Sequence, residues 1–248
     1  MSKKVTLTIF YGAIALICVL IVMLSRYLHH KNESSGKMPA PSTQVINSGK
    51  EKPAEWFAIE EDLVATNQEG KEVRLSDLKG KVWLAANFFA VCPMCAQRNG
   101  AELHKIYETF GSDPDFQIVC ISVDPENDDV ERLKAYGAAL NADPANWWFL
   151  NAGSEEKTHR YLEDELKFFG IRERKDPVDI EANGRFAHDL GFILVDRDFR
   201  VVGKWPLADA RSPDAVKRQP GLYDALKKDL FERIRTELDK GKDLSDTP

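Results

Sequence analysis

Four cysteines among 248 residues are too few for a disulfide-stapled scaffold, and a chain of this length can bury a core without one. There is no second cysteine pair, so a four-cysteine zinc site is excluded. Basic residues are not in excess: 34 Lys and Arg stand against 40 Asp and Glu, a formal net charge of −6. With no basic stripe along the chain, nucleic acid is not an expected partner. No internal repeat is visible, which excludes solenoids and propellers. Histidine is scarce as well, with five in the whole chain, so each one can be weighed separately.

Charge is also missing from residues 5–25, which are almost wholly apolar between Lys3-Lys4 and Arg26. At about 1.5 Å per residue this run is long enough to cross a ~30 Å hydrocarbon core. A cleaved signal peptide would have a shorter apolar centre and an A-x-A-like cleavage site. The length, and the Arg26-Tyr27-Leu28-His29-His30 that follows, predict an uncleaved anchor over residues 1–28, with Tyr27 at the membrane interface. Lys3 and Lys4 are balanced by Arg26 and Lys31, so charge does not set the orientation. Residues 29–52 are rich in Ser, Lys, Pro and Asn and read as a flexible tether. Residues 53–248 then form one well-buried domain.

Within that domain the hydrophobic period alternates between two and 3.6. Residues 63–66 and 73–75 read as a hairpin around the Gly70 turn, followed by a short turn or helical hook at 76–80. Residues 81–89 (KVWLAANFF) are a strand of the kind buried on both faces. From Pro93 to Phe110 the apolar residues recur at helical spacing, which predicts a helix closed by Gly111. A strand at 116–123, a helix at 127–140, a strand at 147–150 and a helix at 155–169 closed by Gly170 follow. Residues 170–187 carry Pro177, Gly184 and many charges with no clear period, and read as a loop or insertion. A closing hairpin (191–195 and 200–205) turns over Asp196-Arg197-Asp198, and a final amphipathic helix spans 220–238. Strands alternating with helices predict an α/β domain with a central mixed sheet flanked by helices.

Cys92 and Cys95 stand where the strand 81–89 ends and a helix begins. Pro93 suits the first helical position. The partial positive charge at a helix start favours a thiolate, which predicts that Cys92 is the more acidic thiol. Two cysteines three apart can form a disulfide or share a soft metal ion. Cys18 falls in the anchor, and Cys120, midway along an apolar strand, reads as a small core residue. His29 and His30 flank the anchor, while His104 and His159 lie on helices and read as solvated. His188 differs, because it stands just before the closing hairpin.

The segments FFAVCPMC, QIVCISVDPENDDVERLKAY, WWFLNA and HDLGFILVDRDFRVVG resemble the Sco/SenC/PrrC family over roughly residues 55–235, and an N-terminal anchor is typical of that family too. The resemblance implies a thioredoxin-like fold preceded by one transmembrane helix, with the soluble domain facing the periplasm or another extracytoplasmic space. It further implies delivery of copper, or reduction of cysteines, at the copper site of cytochrome c oxidase subunit II or on another thiol-bearing client protein. The family's Cu(I) ligands map onto Cys92, Cys95 and His188. One departure matters. The family usually has three residues between its cysteines, and here there are two, Pro93 and Met94, with Ala96 in place of a second proline. That is the spacing of a dithiol oxidoreductase in which Cys92 attacks and Cys95 resolves. Thioredoxins, however, place a cis-proline opposite the pair, and no proline stands at 186–190. Two readings stay open: a Cu(I) metallochaperone, with Met94 as a further soft donor, and a thiol–disulfide oxidoreductase. A peroxidase fits less well, because the position of its threonine is taken by Phe89.

Overall fold

Alternation along one strand decides the architecture. The computed structural model describes Met23 and residues 57–91 and 99–245. The predicted anchor (Met23 apart), the predicted tether, Cys92 and Cys95 lie outside the described residues. The first elements are β1 (Phe57–Ala58), β2 (Val64–Asn67), β3 (Glu72–Arg74), a 3₁₀ turn at Leu75–Leu78 and β4 (Val82–Phe88). After them come α1 (Ala101–Phe110), β5 (Phe116–Ser122), α2 (Val130–Ala139), β6 (Trp147–Asn151) and α3 (Glu155–Asp164). The chain continues through β7 (Arg172–Glu173), α4 (Pro177–Asn183), β8 (Phe186–Ala187), β9 (Phe192–Val195) and β10 (Arg200–Trp205). Three helices close it: α5 (Leu207–Ala210), α6 (Pro213–Arg218) and α7 (Leu222–Ser245).

The main sheet runs β1-β10-β9-β4-β5-β6-β2-β3. Its centre, β4-β5-β6, is parallel, and the outer pairs are antiparallel. Every residue of β4 is buried. Val82, Leu84, Ala86 and Phe88 face a core made with α1, α2 and α7, through Leu103, Ile106, Leu133, Leu230 and Ile234. Trp83 and Ala85, and Phe89 just beyond the strand, face a second core with Leu162, Leu166 and Phe168 at and after α3. This is the period-two geometry of a strand covered on both sides. Among the described residues no helix is long and apolar enough to cross a membrane.

The hairpin, the helical hook and the closing hairpin form where the sequence predicts them. Val64 pairs with Arg74 and Ala65 with Val73, and Gly70 supplies a φ of +75° in the turn. β9 and β10 pair with a bulge between Val201 and Gly203.

Two expectations need correction. The helix predicted over 155–169 stops at Asp164. Lys167 then takes a φ of +55°, which turns Leu166 and Phe168 into the second core and leaves Phe169 exposed. The stretch 170–187 is not a plain loop. It folds as the β7–β8 ribbon around α4. The Asp176 side chain caps α4 by accepting from the Val178 N–H at 2.9 Å, and Pro177 opens the helix. The Gly184 N–H bonds the Ile180 carbonyl at 2.8 Å. α4 buries none of its residues, so no apolar period exists to announce it.

Charge fastens both the ribbon and α1. Arg185 meets the carboxylates of Asp124, Glu126, Glu155 and Glu173, which ties the ribbon to the turn after β5 and to α3. Arg174 donates to the carbonyls of Asn183, Gly184 and Phe186. On α1 the buried carboxylate of Glu102 accepts from the Tyr223 hydroxyl at 2.6 Å and pairs with Arg211 at 3.1 Å and Lys227 at 3.6 Å. Burial alone would raise its pKa, but the Tyr223 bond and the charges of Lys105, Lys227 and Arg211 bring it below the usual range. An unpaired carboxylate there would be strongly destabilising, so the network fixes α1 against α5 and α7.

Candidate functional site

β4 carries the chain to the cysteine pair, and β9 returns beside it. The two strands are antiparallel, with Ala85 opposite Ile193 and Leu84 opposite Leu194. The segment just before β9, which holds His188, therefore runs past the C-terminal end of β4. Asn87 sits in that strand with its side chain on the same face as Trp83, Ala85 and Phe89, as alternation requires.

Asn87 Oδ1 lies 3.0 Å from His188 Nδ1, and the Asp189 carbonyl lies 2.9 Å from the same nitrogen. A carbonyl can only accept, so Nδ1 carries the proton and the lone pair of the neutral ring is on Nε2. The Phe89 ring meets the imidazole edge to face at 5.6 Å and 75°. Burial among these groups pushes the His188 pKa down to about 4, against an opposing pull from Asp189. The ring is thus neutral at pH 7, the form that binds metals. Gly184 packs against Phe89, where an added Cβ would stand 2.3 Å from the ring.

The histidine segment is held from several sides. Asp189 Oδ1 accepts from the Gly191 N–H at 2.8 Å, and Oδ2 pairs with Lys204. Lys204 also donates to the Lys167 carbonyl at 3.0 Å. The residues flanking the cysteine segment are held too. Both oxygens of Asp128 accept from the Ala90 N–H, at 3.0 and 3.1 Å, and the Ser122 hydroxyl donates to one of them at 2.5 Å. Burial raises the pKa of this carboxyl. Beyond the cysteines, Asn99 Nδ2 donates to the Leu190 carbonyl at 3.1 Å.

Of the predicted site residues, His188 is placed beside the end of β4, while Cys92 and Cys95 lie outside the described residues. His104 is half-buried on α1, with Glu108 at 3.3 Å. His159 departs from expectation: its Nε2 lies 2.6 Å from the Val123 carbonyl and its ring packs on Phe186, so it joins α3 to β5. Cys120 is a core residue, with Trp147 Nε1 donating to its sulfur at 3.4 Å and burial raising its pKa to about 12. In the reduced folded chain, iodoacetamide at neutral pH is expected to label Cys92 first, then Cys95, and to leave Cys120 untouched until denaturant is added. Peptide mapping of a timed series checks this, and equal labelling of the three would contradict it.

Sequence reasoning missed Asn87, Asn99 and Asp128 as site residues. One signal was present. Asn87 is the single polar residue in the apolar stretch 82–89, and a buried carboxamide needs a partner. Asn99 and Asp128 have no such signature, because the bonds that tie them to the flanks of the site run to the Leu190 carbonyl and the Ala90 N–H, backbone groups distant in sequence.

A parallel-centred sheet with helices on both faces, and a cysteine pair following a central strand, define a thioredoxin-like protein. The SCO1/SenC family model matches residues 51–219. The SCO1 protein homolog of Bacillus subtilis (strain 168) is 32% identical over 143 residues, covering 57% of this chain and 70% of the relative. This chain belongs to the SCO1/SenC family. Among solved structures, it is similar to a SCO1/SenC family lipoprotein from Bacillus anthracis str. Ames (28% identity, TM-score 0.58), over 75% of this chain and 99% of that one. It is also similar to BsSco, described as a member of the Sco family of cytochrome c oxidase assembly proteins with a disulfide switch. That match is 25% identical with a TM-score of 0.55, over 76% of this chain and 96% of BsSco. Bradyrhizobium japonicum ScoI, solved with copper bound, shares the fold at 24% identity and a TM-score of 0.50, over 69% of this chain and 99% of that one.

Proposed function

We propose that this chain is a membrane-tethered Sco-type protein that binds Cu(I) through Cys92, Cys95 and His188. It delivers the ion to the copper site of cytochrome c oxidase subunit II, or to another thiol-bearing client. The observation that carries this reading is His188 itself. Its Nδ1 is committed to the Asp189 carbonyl, burial keeps the ring neutral, and it stands next to the strand that leads into Cys92. Two thiolates and a neutral imidazole are a donor set suited to a soft ion. Metal-binding histidines usually fix their other ring nitrogen by a hydrogen bond of this kind. The copper-bound ScoI, which shares the fold, and BsSco, a member of a family of oxidase assembly proteins, support the same reading.

The test is a competition titration of the reduced full-length chain, in detergent, against a Cu(I) chelator. One Cu(I) per chain is expected, with Cys95→Ser losing retention. The two-residue spacing of the cysteines favours a second reading, a general extracytoplasmic thiol–disulfide oxidoreductase. There the Cys92 thiolate attacks a client disulfide, and Cys95 then displaces the client thiol. The client gains two electrons and two protons, and the pair becomes a disulfide. A wild type that binds no Cu(I) but reduces a disulfide substrate catalytically would replace the first reading with this one.

The placement proposed with this function is an anchor over residues 1–28, a tether over 29–52 and an extracytoplasmic domain over 53–248. The uncharged run at 5–25 and the lipoprotein relative support it. A reporter active only outside the cytoplasm, fused after Pro248, is expected to be active in the membrane fraction. Recovery of the native chain as a soluble cytoplasmic protein would refute the placement.

A further inference from the structure

Asn99 lies four residues beyond Cys95 in sequence, and its side chain is almost fully buried. Its Nδ2 donates to the carbonyl of Leu190, two residues past His188. Because a carbonyl only accepts, the amide orientation is fixed by this bond. An apolar residue could fill the same space without the cost of desolvating a carboxamide, so what Asn99 adds is the directed bond. Both ends of that bond are held. Three residues further on, Glu102 locks α1 to α5 and α7. Leu190 sits inside the Asp189–Gly191 turn, which Lys204 secures.

We propose that Asn99 is a positioning residue that sets the cysteine segment against the histidine segment, so that two thiolates and one imidazole converge on a single ion. The proposal rests on the Cu(I) reading above. Its physical basis is that a multidentate site loses affinity steeply when its donors stray by fractions of an ångström. A dithiol reaction needs only Cys92 and Cys95, so it should not sense this bond.

The experiment is the Cu(I) competition titration on the full-length chain in detergent, run on wild type, Asn99→Asp, His188→Ala and the double variant. Asn99→Asp keeps the side-chain shape but, when ionised, has no N–H to donate. It is expected to weaken copper retention roughly 10–100-fold, while disulfide reduction stays within about twofold of wild type. In the His188→Ala background it should cost nothing more, because no imidazole remains to be aligned. Thermal unfolding of each metal-free variant is measured alongside. If the buried carboxylate unfolds the chain, Asn99→Ser, too short to reach Leu190, takes its place with the same expected loss. Unchanged copper retention, or losses that simply add in the double variant, would overturn the role of Asn99 and leave the copper reading standing. A wild type that binds no Cu(I) would overturn both, so the two failures are told apart by the wild-type arm alone.

Discussion

Replacing His188 by alanine is expected to weaken Cu(I) retention by at least the ~10–100-fold that loss of a mere supporting partner of a metal ligand costs. Disulfide reduction by the cysteine pair should stay largely intact. The asymmetry follows from chemistry. Thiolate attack and resolution need two sulfurs only, whereas a Cu(I) ion held by two thiolates has a third position to fill. The imidazole is suited to it because Nδ1 donates to the Asp189 carbonyl, which leaves the lone pair on Nε2. Titrating wild type and His188→Ala against the same chelator, with a disulfide-reduction assay in parallel, separates the two activities. Equal copper retention in both proteins would remove His188 from the ligand set.

The second large effect is expected at Gly184. Its φ of +79° and ψ of 175° lie in a region that side chains essentially do not enter, and an added Cβ would stand 2.3 Å from the Phe89 ring. Backbone strain of about 1–3 kcal/mol and overpacking of similar size should together destabilise Gly184→Ala by roughly 2–6 kcal/mol. For a domain of this size that is a fall in Tm on the order of 10 °C. The displaced Phe89 also backs His188, so copper retention should fall in the same variant. Calorimetry of the metal-free protein beside the chelator titration checks both, and a Tm within a degree of wild type would show that the turn at Gly184 can relax. Truncating the ring instead, in a Phe89→Ala/Gly184→Ala double variant, should relieve the clash and leave only the backbone strain and the cavity.

The framework was legible in the sequence because its signals are local or periodic. The run 81–89 is apolar on both parities, and only a strand covered on both faces accommodates that. The hairpin at Gly70 and the closing hairpin over Asp196-Arg197-Asp198 announce themselves by turn chemistry. His188 could be singled out as the histidine before the closing hairpin. What was not legible depends on groups that are neighbours only in space. The ribbon at 170–187 is held by Arg185 gathering carboxylates from two other segments as well as its own Glu173, so it shows no hydrophobic period. Its helix did carry the Asp176-Pro177 start and the Gly184 stop, but in a stretch with no apolar face those read equally well as loop residues. The end of α3 was overrun because Leu162, Leu166 and Phe169 keep helical spacing, although the chain has already turned at Lys167. The bonds from Asn99 to Leu190 and from Asp128 to Ala90 join a side chain to a distant backbone group, which no pattern in one sequence encodes.

The even–odd division of β4 bears on which length changes this fold can absorb. Inserting or deleting one residue between Val82 and Phe88 would exchange the two cores, sending Trp83 and Ala85 toward α1 and α7 and turning Asn87 away from His188. The strand is therefore closed to single-residue indels. Its last paired residue is Phe88, opposite Ser122, and beyond it the pleat no longer dictates parity. The one residue by which this chain's cysteine spacing falls short of the family's usual spacing is missing after Val91 in sequence, past that last paired residue. A lineage could thus lengthen or shorten its cysteine motif, and shift the balance between holding a metal and exchanging a disulfide, without repacking either core.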